Sequence, residues 1–214
     1  MIILDFDGVL FDHRRFKGDY RRMLRRQFGI PYQIYEETYA EARTARRHIY
    51  HHAAHLVLIR KTLPVLRHKD IERVAKKLLG RSATYLYKDA ESFLSYWKAK
   101  KQTLALISNG FAFQKKKVAQ SGLAGFFRRI IITDSHDKVA PLRTLIGRSR
   151  PADTVFIDDK KRLVDAVKKR FPAMVVIQLV RRKAQERSER ADIIVPNLAA
   201  ARRFIEKVSE NPVS

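Results

Sequence analysis

Ile2-Ile3-Leu4-Asp5-Phe6-Asp7-Gly8-Val9-Leu10-Phe11-Asp12 opens the chain as a short apolar run that ends on two carboxylates. An apolar run of this length, 2–6, reads as a buried strand. Two acids placed two residues apart directly after such a strand are costly to desolvate unless a cation or substrate compensates them. In extended backbone, residues i and i+2 point the same way, so Asp5 and Asp7 face one crevice. Gly8 lets the chain turn sharply behind them. Taken alone, the segment also fits a simple turn capped by Asp7 with Asp5 solvated.

Outward from this stretch, further short apolar runs at 103–107, 130–133, 154–157, 174–179 and 193–195 read as buried parallel strands. Helical patterns separate them at 111–121, 139–146 and 162–170, and Asn197 can cap a last helix carrying Leu198, Phe204, Ile205 and Val208. Alternation of this kind predicts an α/β fold, a Rossmann-like parallel sheet with helices on both faces. The stretch 13–85 interrupts it and reads as helices throughout. Asp19 can cap a first helix that ends at Gly29 and Pro31, a long helix runs over 33–62 to Pro64, and a third ends at Gly80. Asp89 then begins the helix leading back to the sheet. An insertion of this size is too long for a connecting loop. The expected division is an α/β core of 1–12 and 86–214 with a small all-helical cap of 13–85. The segment 181–190 reads as a charged, exposed connection.

Composition narrows the function classes. The chain has no cysteine, which removes disulfides, thiolate catalysis and Cys-ligated zinc. No apolar run approaches the ~20 residues that span a bilayer, and the amino terminus lacks a signal-peptide pattern, so no membrane association and a cytoplasmic location are expected. The 45 Lys and Arg against 22 Asp and Glu give a formal charge of +23. Such a balance suits polyanions and keeps a nucleic-acid partner open; cations spread over solvated helix faces are the plainer account.

Three other strand ends carry polar groups. After 103–107 comes Ser108-Asn109-Gly110, whose hydroxyl and turn amides can cradle an anion. After 130–133 come Ser135, His136, Asp137 and Lys138, with Pro141 beyond; the lysine could reach a phosphate as a point charge. After 154–157 come Asp158 and Asp159, hard oxygen donors suited to Mg²⁺.

These four pieces, in this order, resemble the haloacid dehalogenase-like (HAD) superfamily over essentially the whole chain. The resemblance implies a helical cap inserted after the first motif and a Mg²⁺-dependent phosphomonoester hydrolase acting on a small phosphorylated substrate. It implies that Asp5 is the nucleophile and Asp7 the general acid/base, and relatives without the second acid tend toward other chemistry. Ser108 and the Asn109 amide would hold phosphoryl oxygens, with Lys138 balancing charge. Mg²⁺ would be held by Asp5, the Asp7 carbonyl and Asp159, with Asp158 supporting. Two positions depart from the pattern: Leu163 stands where many relatives have Asn or Asp, and Lys138-Val139-Ala140-Pro141 replaces Lys-Pro. A mutase would use the same residues. The alternatives are a basic nucleic-acid-binding protein on this scaffold and a phosphatase acting on polynucleotide ends.

Within 13–85, Arg14, Arg15, Lys17, Arg21, Arg22, Arg25, Arg26, Arg43, Arg46 and Arg47 make a cationic lid or a solvated face. His48, His51, His52 and His55 form i,i+4 pairs on the expected long helix. Without acidic or cysteine partners, packing or substrate contact fits them better than a metal. Tyr32, Tyr35, Tyr39 and Tyr50 read as cap core rather than a base-stacking platform.

Overall fold

The computed structural model describes residues 1–44, 49–135, 137–147 and 149–210. Its strands are β1 Ile2–Leu4, β2 Leu104–Asn109, β3 Arg129–Thr133, β4 Val155–Asp158, β5 Val175–Leu179 and β6 Ile193–Val195. All pair in parallel in the order β3-β2-β1-β4-β5-β6. Each lies within two residues of an apolar run read from the sequence. Outside the insertion, the long helices are α5 Ala90–Ala99, α6 Ala112–Gln120, α7 Val139–Ile146, α8 Lys161–Arg170 and α9 Leu198–Glu210.

Strand side chains alternate between two apolar layers, as the pleat requires. Ile2, Leu4, Leu104 and Leu106 join Phe93 and Trp97 of α5 and Leu198 and Ile205 of α9. Ile3, Ala105, Ile107 and Phe156 join Leu142 and Leu145 of α7 and Val164 and Val167 of α8. Both faces are therefore covered, which explains why the strands are continuous apolar runs. Strand order reverses about β1, and the crevice at such a switch point, beyond the carboxyl ends of the strands, is where ligands bind in open α/β sheets.

The insertion carries α1 His13–Phe28, α2 Tyr32–Thr44, α3 His52–Thr62 and α4 His68–Leu79, then a 3-10 turn at Ser82–Tyr85. Two sequence expectations change here. The first helix starts at His13, because Asp12 is its cap and accepts from Arg15 N at 3.0 Å. Asp19 lies inside α1, where it accepts from the Tyr85 hydroxyl at 2.7 Å. The expected helix over 33–62 is two helices. Ile49 to His51 are not helical, and the extended His51 caps α3 by accepting from Ala54 N at 3.0 Å. Arg46, Arg47, His48 and His136 lie outside the described residues.

The two crossing points of the insertion are joined. Asp12 N donates to Tyr85 O at 2.8 Å, and Tyr87 N to Leu10 O at 2.9 Å. Arg181 donates to Val9 O at 2.8 Å, pairs with Asp89 at 2.9 Å and lies over the Tyr87 ring at 3.7 Å. Segment 181–190 is thus not simply an exposed connection, since Ser188 is also buried. One apolar cluster continues from Leu4 and Phe6 through Phe11 and Phe16 into Tyr20, Tyr35, Leu56 and Leu78. Among the described residues no helix is long and apolar enough to cross a membrane.

Candidate active site

Asp5 follows β1 directly and is 1% exposed. Its Oδ1 accepts from Phe6 N at 2.7 Å. Its Oδ2 stands 2.9 Å from Lys138 Nζ and 3.6 Å from Lys160 Nζ, yet receives no well-aligned hydrogen bond. Lys138 is fully buried at the start of α7, drawn inward rather than solvent-facing because it also reaches Asp158 Oδ2 at 3.0 Å. Burial pushes the Asp5 carboxyl up, but Lys138, Lys160 and the Phe6 amide outweigh it and hold it at about 2. Lys160, the residue after Asp159, carries no distinguishing sequence signal; its side chain is half-exposed, and although partial desolvation works against its charge, the facing carboxylates of Asp5, Asp158 and Asp159 raise its pKa above the ordinary value.

Asp5, Asp158 and Asp159 offer carboxylate oxygens within 4.8 Å of one another. Asp159 Oδ1 is buried without a hydrogen-bond partner. Burial, then the neighbouring Asp158 carboxylate, push the Asp159 carboxyl up to about 7. A buried set of hard oxygens with an orphaned member fits a divalent cation such as Mg²⁺. Asp158 fits a supporting place, since its Oδ1 accepts from Lys160 N at 2.9 Å and its Oδ2 from Lys138. Gly8, at φ +84°, makes the cluster possible: a Cβ there would collide with the Asp159 carboxylate. Leu163 is buried in the α8 layer, and Asp165 accepts from the Ser188 hydroxyl. Neither replaces the missing acid. Asp159 is steadied instead by Gln185, which donates to its carbonyl at 3.0 Å, and by Gln178 at 3.3 Å. Gln178 is fully buried within β5, and a lone amide in an apolar strand was its sequence signal.

The Asp7 carboxylate is not one of the three clustered acids. Lys117 Nζ meets both of its oxygens at 2.7 and 2.8 Å, and Gln114 Nε2 donates to Oδ2 at 3.1 Å. Gln114 also donates to Ser108 Oγ at 2.9 Å, tying the first two motifs together. Lys117 is 5% exposed and ringed by Phe6, Phe11 and Phe16. It sits in the run Lys115-Lys116-Lys117, which reads as a solvated face; only its i,i+3 spacing from Gln114 distinguishes it. In the Ser108-Asn109-Gly110 turn, the Gly110 amide is occupied by Thr133 O at 2.9 Å and the Asn109 side chain by Ser135 O. An anion cradle here is therefore narrower than the sequence suggested, resting on the Ser108 hydroxyl and Asn109 amide.

Above this floor lies a cavity of about 700 Å³, bounded by the carboxylate loops and by α1, α2 and α6. Several cations of the insertion are compensated: Lys17 and Arg21 converge on Glu36 at 2.6 and 2.9 Å, and Arg22 pairs with Asp19. Of the histidines around α3, His51 is the helix cap and His52 and His55 are packing groups. His52 Nε2 meets the Tyr20 hydroxyl at 3.0 Å, and fully buried His55 meets Tyr50 at 2.9 Å and Thr38 at 3.1 Å. Burial holds His52 near 3 and His55 near 4, so both are neutral. Tyr35 is core, Tyr32 is exposed, and Tyr39 and Tyr50 line the cavity.

Residues 1–168 match the family model of haloacid dehalogenase-like hydrolases. A search of the curated proteins finds no match. Among solved structures, a protein of Burkholderia xenovorans LB400 described as a haloacid dehalogenase-like hydrolase superposes with a TM-score of 0.75 at 23% identity, covering 93% of this chain and 95% of its own. The L-2-haloacid dehalogenase of Xanthobacter autotrophicus gives 0.66 at 18%, covering 96% and 98%. A HAD phosphatase of Thermococcus onnurineus gives 0.65 at 18%, covering 95% and 96%. At these identities the structural likeness speaks for the fold.

Proposed function

Because the chain belongs to the haloacid dehalogenase-like hydrolases, we propose that it is the phosphatase form of that fold, a Mg²⁺-dependent phosphomonoesterase acting through an aspartyl-phosphate on Asp5. The observation that carries this reading is the second acid: Asp7 is present, and Lys117 and Gln114 hold it against Ser108. An ester leaving group needs a proton that a halide does not, so a positioned second carboxyl is of use to a phosphatase in particular.

An Asp5 carboxylate oxygen attacks phosphorus and the bond to the leaving oxygen breaks, while Asp7 supplies that oxygen with a proton. Water then attacks phosphorus, Asp7 takes its proton, and cleavage of the Asp5–phosphorus bond regenerates the carboxylate. Ser108 and the Asn109 amide hold the phosphoryl oxygens, and Lys138 keeps Asp5 ionised. Asp5, Asp159 and the Asp7 carbonyl hold Mg²⁺ with Asp158 behind them; when bound, the ion neutralises the repulsion between carboxylate and phosphate. Helical residues 13–85 act as the cap.

The test is p-nitrophenyl phosphate turnover with and without Mg²⁺. Wild type is expected to need the ion, and Asp5→Asn to lose at least about a thousandfold in kcat. Turnover that survives Asp5→Asn, or no turnover on any phosphate ester, would sink the reading.

A further inference from the structure

We infer that the leaving-group half of the cavity is built to receive a planar ring, making the preferred substrates phosphate monoesters whose alcohol carries an aromatic group. The inference deepens the phosphomonoesterase reading and rests on it for turnover. Tyr39 and Tyr50 stack at 4.8 Å with 24° between their planes, and Phe113 meets Tyr50 edge-on at 6.2 Å. All three are half-buried and line the cavity. Phe113 lies in the first turn of α6, three residues beyond Gly110, so the aromatic wall begins beside the proposed phosphate cradle.

Several polar atoms near this wall already have partners. The Tyr50 hydroxyl faces His55 Nδ1, and His52 stacks face-on against Phe113 at 4.2 Å, with its Nε2 on the Tyr20 hydroxyl. Lys17, also a lining residue, pairs with Glu36 and rests over the Tyr39 ring at 3.8 Å. Tyr39, Tyr50 and Phe113 still line the cavity with the parts of their rings that these contacts leave uncovered, and an offset or edge-on ring is the partner such aromatic surface favours. A cavity of about 700 Å³ is of the size that encloses one small ring-bearing molecule.

The experiment compares kcat/KM for benzyl, cyclohexylmethyl and propyl phosphate, three primary-alcohol esters differing in the ring. Benzyl phosphate is expected to lead both others by roughly tenfold or more. Tyr39→Leu and Phe113→Leu keep apolar volume and should collapse the benzyl-to-cyclohexylmethyl ratio toward one. Because either variant can misfold, binding of benzylphosphonate and propylphosphonate to the wild-type protein is measured beside them by calorimetry. Ester turnover with no ring preference overturns this inference and leaves the phosphatase standing. No turnover, with benzylphosphonate still bound more tightly, supports the ring cavity and overturns the phosphatase. No turnover and no preference overturns both.

Discussion

Beneath the cavity, at the carboxyl ends of β1 and β4, a floor gathers Asp5, Asp158 and Asp159 with Lys138 and Lys160, whereas the roof packed behind the cavity lining, on α1 to α3, pairs tyrosine hydroxyls with neutral histidines. Both regions desolvate polar groups, and each solves the cost differently. The floor offsets charge with charge and keeps an orphaned oxygen, an arrangement that favours a bound cation and phosphate over compactness. The roof buries its histidines uncharged and pairs the Tyr20 and Tyr50 hydroxyls with them, which favours packing. Electrostatic force belongs to the region that would perform the chemistry, and shape to the region that would select the substrate.

The contrast can be broken hardest at Lys117, a buried cation that joins Asp7 to the phenylalanines of the core. Lys117→Met should destabilise the fold by about 2 kcal/mol in urea denaturation, because it takes the cation from both oxygens of the largely buried Asp7 carboxylate and leaves Gln114 as its side-chain donor. Adding Asp7→Asn should restore part of that loss, and activity should be no lower in the double variant than in Asp7→Asn alone. Additive losses would mean that Lys117 does not act through Asp7.

The roof is sharpened by pH. His52 and His55 are held near 3 and 4, below the ordinary 6.5, so the unfolded chain takes up protons first as the pH falls through 6.5. Their neutral packing is therefore fully stabilising above that value and loses ground down toward 4, at roughly 1.4 kcal/mol per pH unit for each histidine at most. Between pH 6 and 5 the two histidines together are expected to remove about 2 kcal/mol, partly offset by Asp159, whose carboxyl is raised to about 7 and protonates first in the folded protein. His52→Phe should lessen the loss by about 1 kcal/mol relative to wild type. A His52→Phe profile parallel to that of wild type across that window would show that the pair does not carry the roof. The smallest effect is expected at the rim: Glu36→Gln should cost less than about 1 kcal/mol, since Lys17, Arg21 and Glu36 are about one-third exposed. A larger loss in thermal denaturation would mark the rim as structural.

Much of the floor was legible before the fold was seen, for a geometric reason. Asp5, Ser108, Asp158 and Asp159 lie on or next to strand ends, and a parallel sheet brings such ends together whatever the intervening chain does. Lys117, Gln114 and Gln185 are not legible, because a helix and a long connection deliver them to the site from positions that local pattern leaves ambiguous, and Lys160, though next to a strand end, reads like any lysine opening a helix. The break of the 33–62 pattern was hidden too. Neither Gly nor Pro marks it, and His51 ends the run by bonding the backbone ahead of it while Tyr50 turns to His55. The departure at Leu163 was visible as a gap, but not that Gln178 and Gln185 would steady Asp159 from β5 and the segment after it.

Gly8 carries a consequence for how this chain can change over generations. Every codon substitution that replaces it adds at least one carbon, and that carbon would overlap the Asp159 carboxylate on a backbone already turned to φ +84°. Position 8 therefore has no neutral neighbour one mutational step away, while half-buried Tyr39 on the cavity lining meets no such collision when its side chain changes. Lineages descending from this sequence are free to drift in what they accept, and are held in place in how they react.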